Sequence, residues 1–294
     1  MLSRLEEAHN PPRGAHIEEI RMDNLTNRVA VVTGSGEGIG RGIAFALAQA
    51  GAHIAIADIN IDSATSVAME LTTAGHTAAA FHVDVANPES VIALAEVVER
   101  SLGPTHILCN NAGVMLDGPL VDASDTDWQW VIGVNFFGVI HGVRAFIPQL
   151  RANQGGHIVN TGSMAGLAPR PHLDYGIYSA SKAAVVSYSE NLRAELAPQG
   201  IGVSVLCPST VATRIWEADR NRPADLGPGR PVPRPHRASD AIDGTAVGAL
   251  VLRGVIEDRP YIFTSDDARP RIEARNHAIL TDLTRHEAEN PSSP

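Results

Sequence analysis

A doubly wound α/β fold, one parallel sheet of seven strands with helices on both faces, is what this sequence predicts, and three observations carry it. Short β-branched runs alternate with Ala-rich stretches of helical length along the chain, a pattern that implies right-handed crossovers and a parallel sheet. A glycine cluster, Gly34 to Gly40, separates the first such run from the first helical stretch. With 294 residues, 44% hydrophobic and 19% charged, the chain can bury a sizeable core. A single domain over residues 25–265 is the simplest organisation.

The elements follow in order. Arg28–Thr33 is a β-branched strand and Ile39–Ala50 a helix; then come strand His53–Asp58, helix Asp62–Ala74, strand Thr77–Val83, helix Pro88–Ser101 and strand His106–Cys109. A long helical stretch, Ser124–Leu150, is interrupted by Gly133, Gly138 and Gly142. Strand His157–Thr161, helix Ile177–Ala197, strand Gly202–Cys207, helix Ser239–Arg253 and strand Tyr261–Thr264 complete the set. Between Val211 and Arg237 proline is dense enough to exclude a continuous helix or central strand. That places a long loop, over residues 211–237, just past the sixth strand's carboxyl end, where a substrate lid belongs. Residues 1–24 are expected to be a mobile tail, with Met22 a candidate natural start. Residues 266–294 are expected to be a partly helical extension with a frayed end.

Composition excludes several functions. A net charge of −10 with no basic stripe argues against a nucleic-acid partner. Met1–Arg21 has no apolar core of the kind a secretory signal needs, and no later run looks long enough to span a membrane. Cys109 and Cys207 both lie in apolar runs, which suits buried thiols and a reducing cytoplasm.

Two constellations carry chemistry. Tyr178 and Lys182 are four residues apart in a helical stretch, so they share a face. An adjacent cation favours the phenolate and would make Tyr178 a usable general acid/base near neutral pH. The second is Thr33-Gly34-Ser35-Gly36-Glu37-Gly38-Ile39-Gly40, which follows a strand and opens a helix. Such a turn brings backbone N–H groups to a pyrophosphate at a helix N-terminus. Asp58 ends the next strand, placed to accept hydrogen bonds from an adenosine ribose and to repel a 2′-phosphate.

The spacing Thr-Gly-x-x-x-Gly-x-Gly, together with Asp84-Val85, Asn110-Asn111-Ala112-Gly113, Asn135, Ser163 and Tyr178-x-x-x-Lys182, resembles the short-chain dehydrogenase/reductases from about Leu25 to Thr264. The resemblance implies a Rossmann-type domain that binds NAD through Gly34, Ser35, Gly36, Glu37, Gly38, Ile39, Gly40, Asp58 and Ile59. It implies that Asp84 and Val85 hold the adenine, that Asn111, Ala112 and Gly113 shape the cofactor floor, and that Pro208, Val211 and Thr213 wrap the nicotinamide. Asn135 would orient a water beside Lys182. Ser163 would hydrogen-bond the substrate oxygen, Tyr178 would exchange its proton, and Lys182 would bind ribose and lower the Tyr178 pKa. Glu37 stands where relatives that prefer NADP often carry Arg or Lys, a second pointer to NAD. Two features depart from the family pattern: Pro208-Ser209 replaces Pro-Gly, and Ala165–Gly176 is about two residues longer than the family's spacing.

The resulting expectation is an NAD-dependent oxidoreductase acting on a secondary alcohol or ketone. The alternatives are an epimerase or dehydratase of the same superfamily and a catalytically silent dinucleotide-binding scaffold. Ala165, Leu167, Leu173 and Tyr175, with Ile215 and Trp216 from the lid, are the expected substrate pocket. This lining predicts a bulky apolar substrate, aryl or cyclic, and a poor fit for small hydroxy acids because no basic clamp is visible. A weaker similarity, in Asp127-Trp128, Arg222-Pro223 and Tyr261-Ile262, points to bacterial aryl-ether Cα-dehydrogenases. Proteins of the family pair through the helices corresponding to Ser124–Leu150 and Ile177–Ala197, so a homotetramer is expected. No metal site is expected.

Overall fold

The computed structural model describes residues 24–170, 175–229 and 241–290. The expected N-terminal tail up to residue 23, Pro171, Leu173, residues 230–240 of the proline-rich stretch and the C-terminal residues 291–294 lie outside the described residues.

Seven parallel strands form one sheet in the order β3-β2-β1-β4-β5-β6-β7. They are β1 (Val29–Thr33), β2 (His53–Asp58), β3 (Ala78–His82), β4 (Thr105–Asn110), β5 (Gly156–Thr161), β6 (Ile201–Cys207) and β7 (Tyr261–Phe263). The first four helices are α1 (Gly38–Gln49), α2 (Ile61–Thr73), α3 (Pro88–Leu102) and α4 (Asp125–Ile132). Among the described residues they are followed by α5 (Gly138–Ala152), α6 (Met164–Leu167), α7 (Gly176–Leu196), α8 (Gly244–Ile256) and α9 (Ala268–Glu289). Strand β1 shows why its residues are uniformly apolar: Ala30 and Val32 enter the core under α1 and α8, whereas Val29 and Val31 enter the core under α3 and α5. Both faces are covered, so no polar face is needed. The strand order reverses between β1 and β4, and a ligand crevice opens at that switch point, past the strands' carboxyl ends.

Four expectations need correcting. The glycines in Ser124–Leu150 do not break the helix: α4 passes through a π turn, Gly133–Phe137, directly into α5. A Cβ on Gly142 would stand 2.0 Å from Asn110 Oδ1, so that glycine lets α5 lie close on β4. The combined run Asp125–Ala152 is 28 residues with mean hydropathy reaching 1.5, long and apolar enough by composition to cross a membrane. Here its stripe Val139, Val143, Phe146 and Leu150 is buried against the sheet. Helix α8 begins at Gly244 rather than Ser239, because Asp243 caps it by accepting from Ala246 N at 2.8 Å.

The proline-rich loop is folded where it is described, with 3-10 turns at Ile215–Asn221 and Ala224–Leu226. Arg222 explains the order. Its guanidinium lies 3.0 Å from Asp127 Oδ1, donates to the carbonyls of Gly227 and Leu226 at 2.9 Å each, and sits 5.1 Å over the Trp130 ring. The side chains of Arg222 and Asp127 are 3% and 5% exposed, so removing one partner would leave the other's charge buried at a cost of about 3–5 kcal/mol. Burial opposes ionisation of Asp127, but hydrogen bonds from Ser124 and the Arg222 charge outweigh it and hold the carboxyl below its ordinary value. The C-terminal extension forms the 22-residue helix α9, in which only Ala268 is buried.

Candidate active site

A cleft of about 510 Å³ runs along the carboxyl ends of the strands. Its first wall is the turn between β1 and α1. Gly34 adopts φ +63°, and a Cβ there would approach Ala112 Cα to 2.7 Å, so only glycine makes this turn against the next loop. Gly34, Glu37, Gly38 and Ile39 line the cleft. Ser35 does not: it is fully buried, donating through Oγ to Val32 O at 2.6 Å and accepting from Ala57 N at 3.1 Å. The serine side chain locks the turn to β2. Gly36 and Gly40 also stay off the cleft wall. Gly36 N instead donates to Asp58 Oδ2 at 2.9 Å, while Asn60 N donates to Asp58 Oδ1 at 2.9 Å. The Asp58 carboxylate is thus clamped from both sides at the end of β2, with Ile59 beside it in the cleft.

Asp84 and Val85, past β3, line the same cleft. Past β4, Asn111, Ala112 and Gly113 form its floor, and Thr33 holds them there. Thr33 Oγ1 accepts from Asn111 N at 3.0 Å and from Ala112 N at 3.1 Å, and Asn111 Nδ2 donates to the carbonyls of Thr33 and Gly34. Thr33 was readable only as the first letter of the glycine motif, yet it ties β1 to β4.

Ser163, Tyr178 and Lys182 converge at the far end. The Ser163 hydroxyl faces the Tyr178 phenol closely enough to favour its ionised form, but burial dominates and pushes the phenol up to about 12, with Tyr175 and Cys207 adding to the rise. Burial also drives Lys182 down to about 8. The expected lowering of the Tyr178 pKa by Lys182 is therefore absent from this state. Lys182 Nζ lies 5.8 Å from the Tyr178 ring centroid and is turned to donate to Thr161 O at 2.7 Å. Asn135 is fully buried in the π turn and off the cleft wall. Its Oδ1 accepts from Val114 N at 2.8 Å, and its Nδ2 donates to Val114 O and Ser181 Oγ. These bonds engage both ends of the Asn135 amide, so the side chain pins the Gly113–Val114 floor to α7. π turns recur at functional sites.

Pro208, Val211 and Thr213 close over the cleft, and Ala165, Tyr175, Ile215 and Trp216 line its substrate end. Leu167 is off the cleft wall, packed against the cluster that contains Met164 and Val186, and Leu173 lies outside the described residues. Sequence reasoning missed Arg170 and Arg271, which also line the cleft, so the expectation of no basic group is corrected. It also missed that Glu37 pairs with both Arg214 and Arg220, joining the glycine turn to the loop after β6. Among the described residues no cluster of His, Cys, Asp or Glu could hold a metal ion.

The arrangement fits a dinucleotide: a glycine turn at a helix N-terminus, a clamped carboxylate one strand away and a partly buried phenol at the other end. Comparison with known proteins agrees. The C alpha-dehydrogenase of a Sphingobium species is 32% identical over 278 residues, covering 91% of this chain and 90% of its own length. The 1-deoxy-11-beta-hydroxypentalenate dehydrogenase of Streptomyces exfoliatus is 32% identical over 274 residues, covering 92% of this chain and 94% of its own. A short chain dehydrogenase/reductase from Burkholderia phymatum, solved in complex with NAD, superposes with a TM-score of 0.81 at 37% identity, covering 92% of this chain and 98% of that one. Residues 28–224 match the pattern of the short chain dehydrogenases, and the chain belongs to that family of oxidoreductases.

Proposed function

We propose that this chain interconverts a bulky secondary alcohol and its ketone, with NAD(H) as its cofactor. The observation that carries the proposal is the partly buried Tyr178 phenol facing Ser163 in a cleft whose opposite end presents Asp58. A bound nicotinamide dinucleotide would supply or accept the hydride at the carbinol carbon. Tyr178 gives its proton to the carbonyl oxygen in reduction and takes it back in oxidation, while Ser163 Oγ holds that oxygen in line. The buried Lys182 ammonium supplies positive charge as the phenolate forms and offers N–H donors to the ribose. Asn135 keeps the Gly113–Val114 floor in place.

Preference for NAD over NADP rests on Asp58, whose clamped carboxylate would meet a 2′-phosphate. Glu37 gives weaker support than its charge suggested, because Arg214 and Arg220 neutralise it. An NAD complex of a relative at 37% identity points the same way. For the substrate, Val114, Met115, Trp130, Val134, Ile215 and Trp216 make the lining mostly apolar. The name of one relative, a 1-deoxy-11-beta-hydroxypentalenate dehydrogenase, is consistent with a hydroxylated substrate. The test is a panel followed by NADH absorbance. Aryl or cyclic secondary alcohols should exceed 2-propanol and lactate in kcat/KM, and NAD should exceed NADP at least about tenfold, the effect of about 1.4 kcal/mol of charge repulsion. A better result with 2-propanol or lactate rejects the substrate class, and a better result with NADP rejects the role of Asp58.

The same proposal includes a homotetramer paired through α5 and α7. Phe137, half exposed at the start of α5 and stacked on His141, is a natural contact for a second copy. A monomer in light scattering at micromolar protein would reject it.

A further inference from the structure

The substrate end of the cleft carries charge that the proposed chemistry does not use. Arg170, from the segment after α6, and Arg271, from the first turn of α9, both line the cleft together with Tyr175. Nothing in exchanging a proton with a carbinol oxygen requires a cation there. The two guanidinium groups share one carboxylate: Asp267 Oδ2 lies 3.1 Å from Arg170 Nη2 and 3.9 Å from Arg271 Nη1. The other oxygen of Asp267 accepts from Ser209 Oγ at 3.1 Å, and Arg271 Nη2 donates to Ala168 O at 2.5 Å. Ser209 is the residue that departs from the Pro-Gly pattern, and here its hydroxyl frames the arginine pair. An arginine in a helix's first turn also opposes the helix dipole, and α9 has no acidic residue in that turn. A residue placed against local preference at a cleft wall is a candidate for function.

Position relative to the reacting centre follows from the tyrosines. Tyr175 meets Tyr178 edge-on with ring centroids 6.3 Å apart. Burial raises the Tyr175 phenol, the charges of Arg170 and Arg271 oppose the rise, and Asp117 adds a weaker push upward. Both cations therefore act on Tyr175, the ring next to Tyr178, within the same cleft. Arginine's planar fork is suited to bidentate carboxylate binding.

We propose that Arg170 and Arg271 form a carboxylate subsite, and that the substrate is an apolar ring-bearing carbinol with a carboxylate on the far side of the ring from the reacting carbon. This rests on the dehydrogenase function proposed above and narrows its substrate. Asp267 and Ser209 are positioning residues that hold the two guanidinium groups apart and facing the cleft.

Binding tests it without turnover. Isothermal titration of the full chain saturated with NAD compares 4-acetylbenzoate with acetophenone, ketones that have nothing to accept from the oxidised cofactor. The acid should bind at least about tenfold tighter, as charge-assisted hydrogen bonds of 1.5–3 kcal/mol allow. Arg271→Gln should bring the two affinities within about twofold of each other, and Arg271→Lys should restore part of the preference. Arg170→Gln is the second variant, read the same way if Arg271→Gln fails to fold. Absent, equal or weaker binding of the acid by the native chain overturns the subsite, as does a preference that survives both Gln variants. Oxidation of 4-(1-hydroxyethyl)benzoate and 1-phenylethanol separates the two proposals. Turnover of the neutral alcohol with no preference for the acid rejects the subsite and leaves the dehydrogenase function standing. Acid-selective binding without turnover of either alcohol rejects that function and leaves the subsite standing.

Discussion

Tyr178→Phe is expected to lower kcat/KM about 1,000-fold while the affinity for NADH, read by fluorescence titration, changes by less than about threefold. Removing a positioned general acid/base typically loses 10²–10⁴ in rate. Phenylalanine keeps the ring, and with it the edge contact to Tyr175 and the packing of the partly buried side chain. What disappears is one proton at the only phenol that faces Ser163. Stability at neutral pH should barely move. The folded-state pKa of Tyr178, about 12, lies above its ordinary 10, so the phenol is neutral in folded and unfolded chains alike at pH 7. Its contribution is fully present below pH 10 and fades only as pH rises from 10 to 12. A variant with near-native activity would place the proton carrier elsewhere. Loss of activity together with loss of NADH affinity would instead indicate a collapsed site.

The parts of this molecule that were legible in the sequence are those set by near neighbours. Most strands are rich in β-branched residues, β3 with Ala-Ala-Ala-Phe-His being the exception, and the glycine turn announces itself by spacing. Asp58 and the Tyr178/Lys182 pair were legible because a strand end and a helical repeat fix where they point. What escaped depends on partners far apart in the chain. Arg170 and Asp267 are 97 residues apart, and no local pattern says they meet. The order of the loop after β6 comes from Arg222 reaching Asp127 and Trp130 on α4, a contact that proline density does not announce. Ser35 shows the limit within a motif: spacing identified the loop, but only the fold shows that this side chain points inward to Val32 and Ala57.

Lys182→Met should separate function from stability. Activity is expected to fall at least about 100-fold, because the charge beside the reacting phenol and the ribose donors are lost together. Stability should respond with a sign that depends on pH. Burial lowers Lys182 from its ordinary 10.5 to about 8, a cost of about 3 kcal/mol to the folded protein wherever the amine is charged in both states. Since the folded pKa is the lower one, the unfolded chain holds the proton more tightly between pH 8 and 10.5, and the native protein gains stability as pH rises through that window. Methionine fills a similar volume and carries no charge, but it orphans the Thr161 carbonyl that Lys182 Nζ now satisfies, at about 1–3 kcal/mol. Below pH 8 the relieved burial cost outweighs or matches the orphaned carbonyl, so the variant should melt at or a few degrees above the native temperature. At pH 10.5 the native amine is already neutral and only the orphaned carbonyl remains, so the order should reverse. Thermal melts of both proteins without dinucleotide, at pH 7 and pH 10.5, check this. A variant equally destabilised at both pH values would mean that Lys182 is not desolvated. The ammonium would then be solvated well enough to keep an ordinary pKa, and it could not supply the concentrated charge the proposed chemistry asks of it.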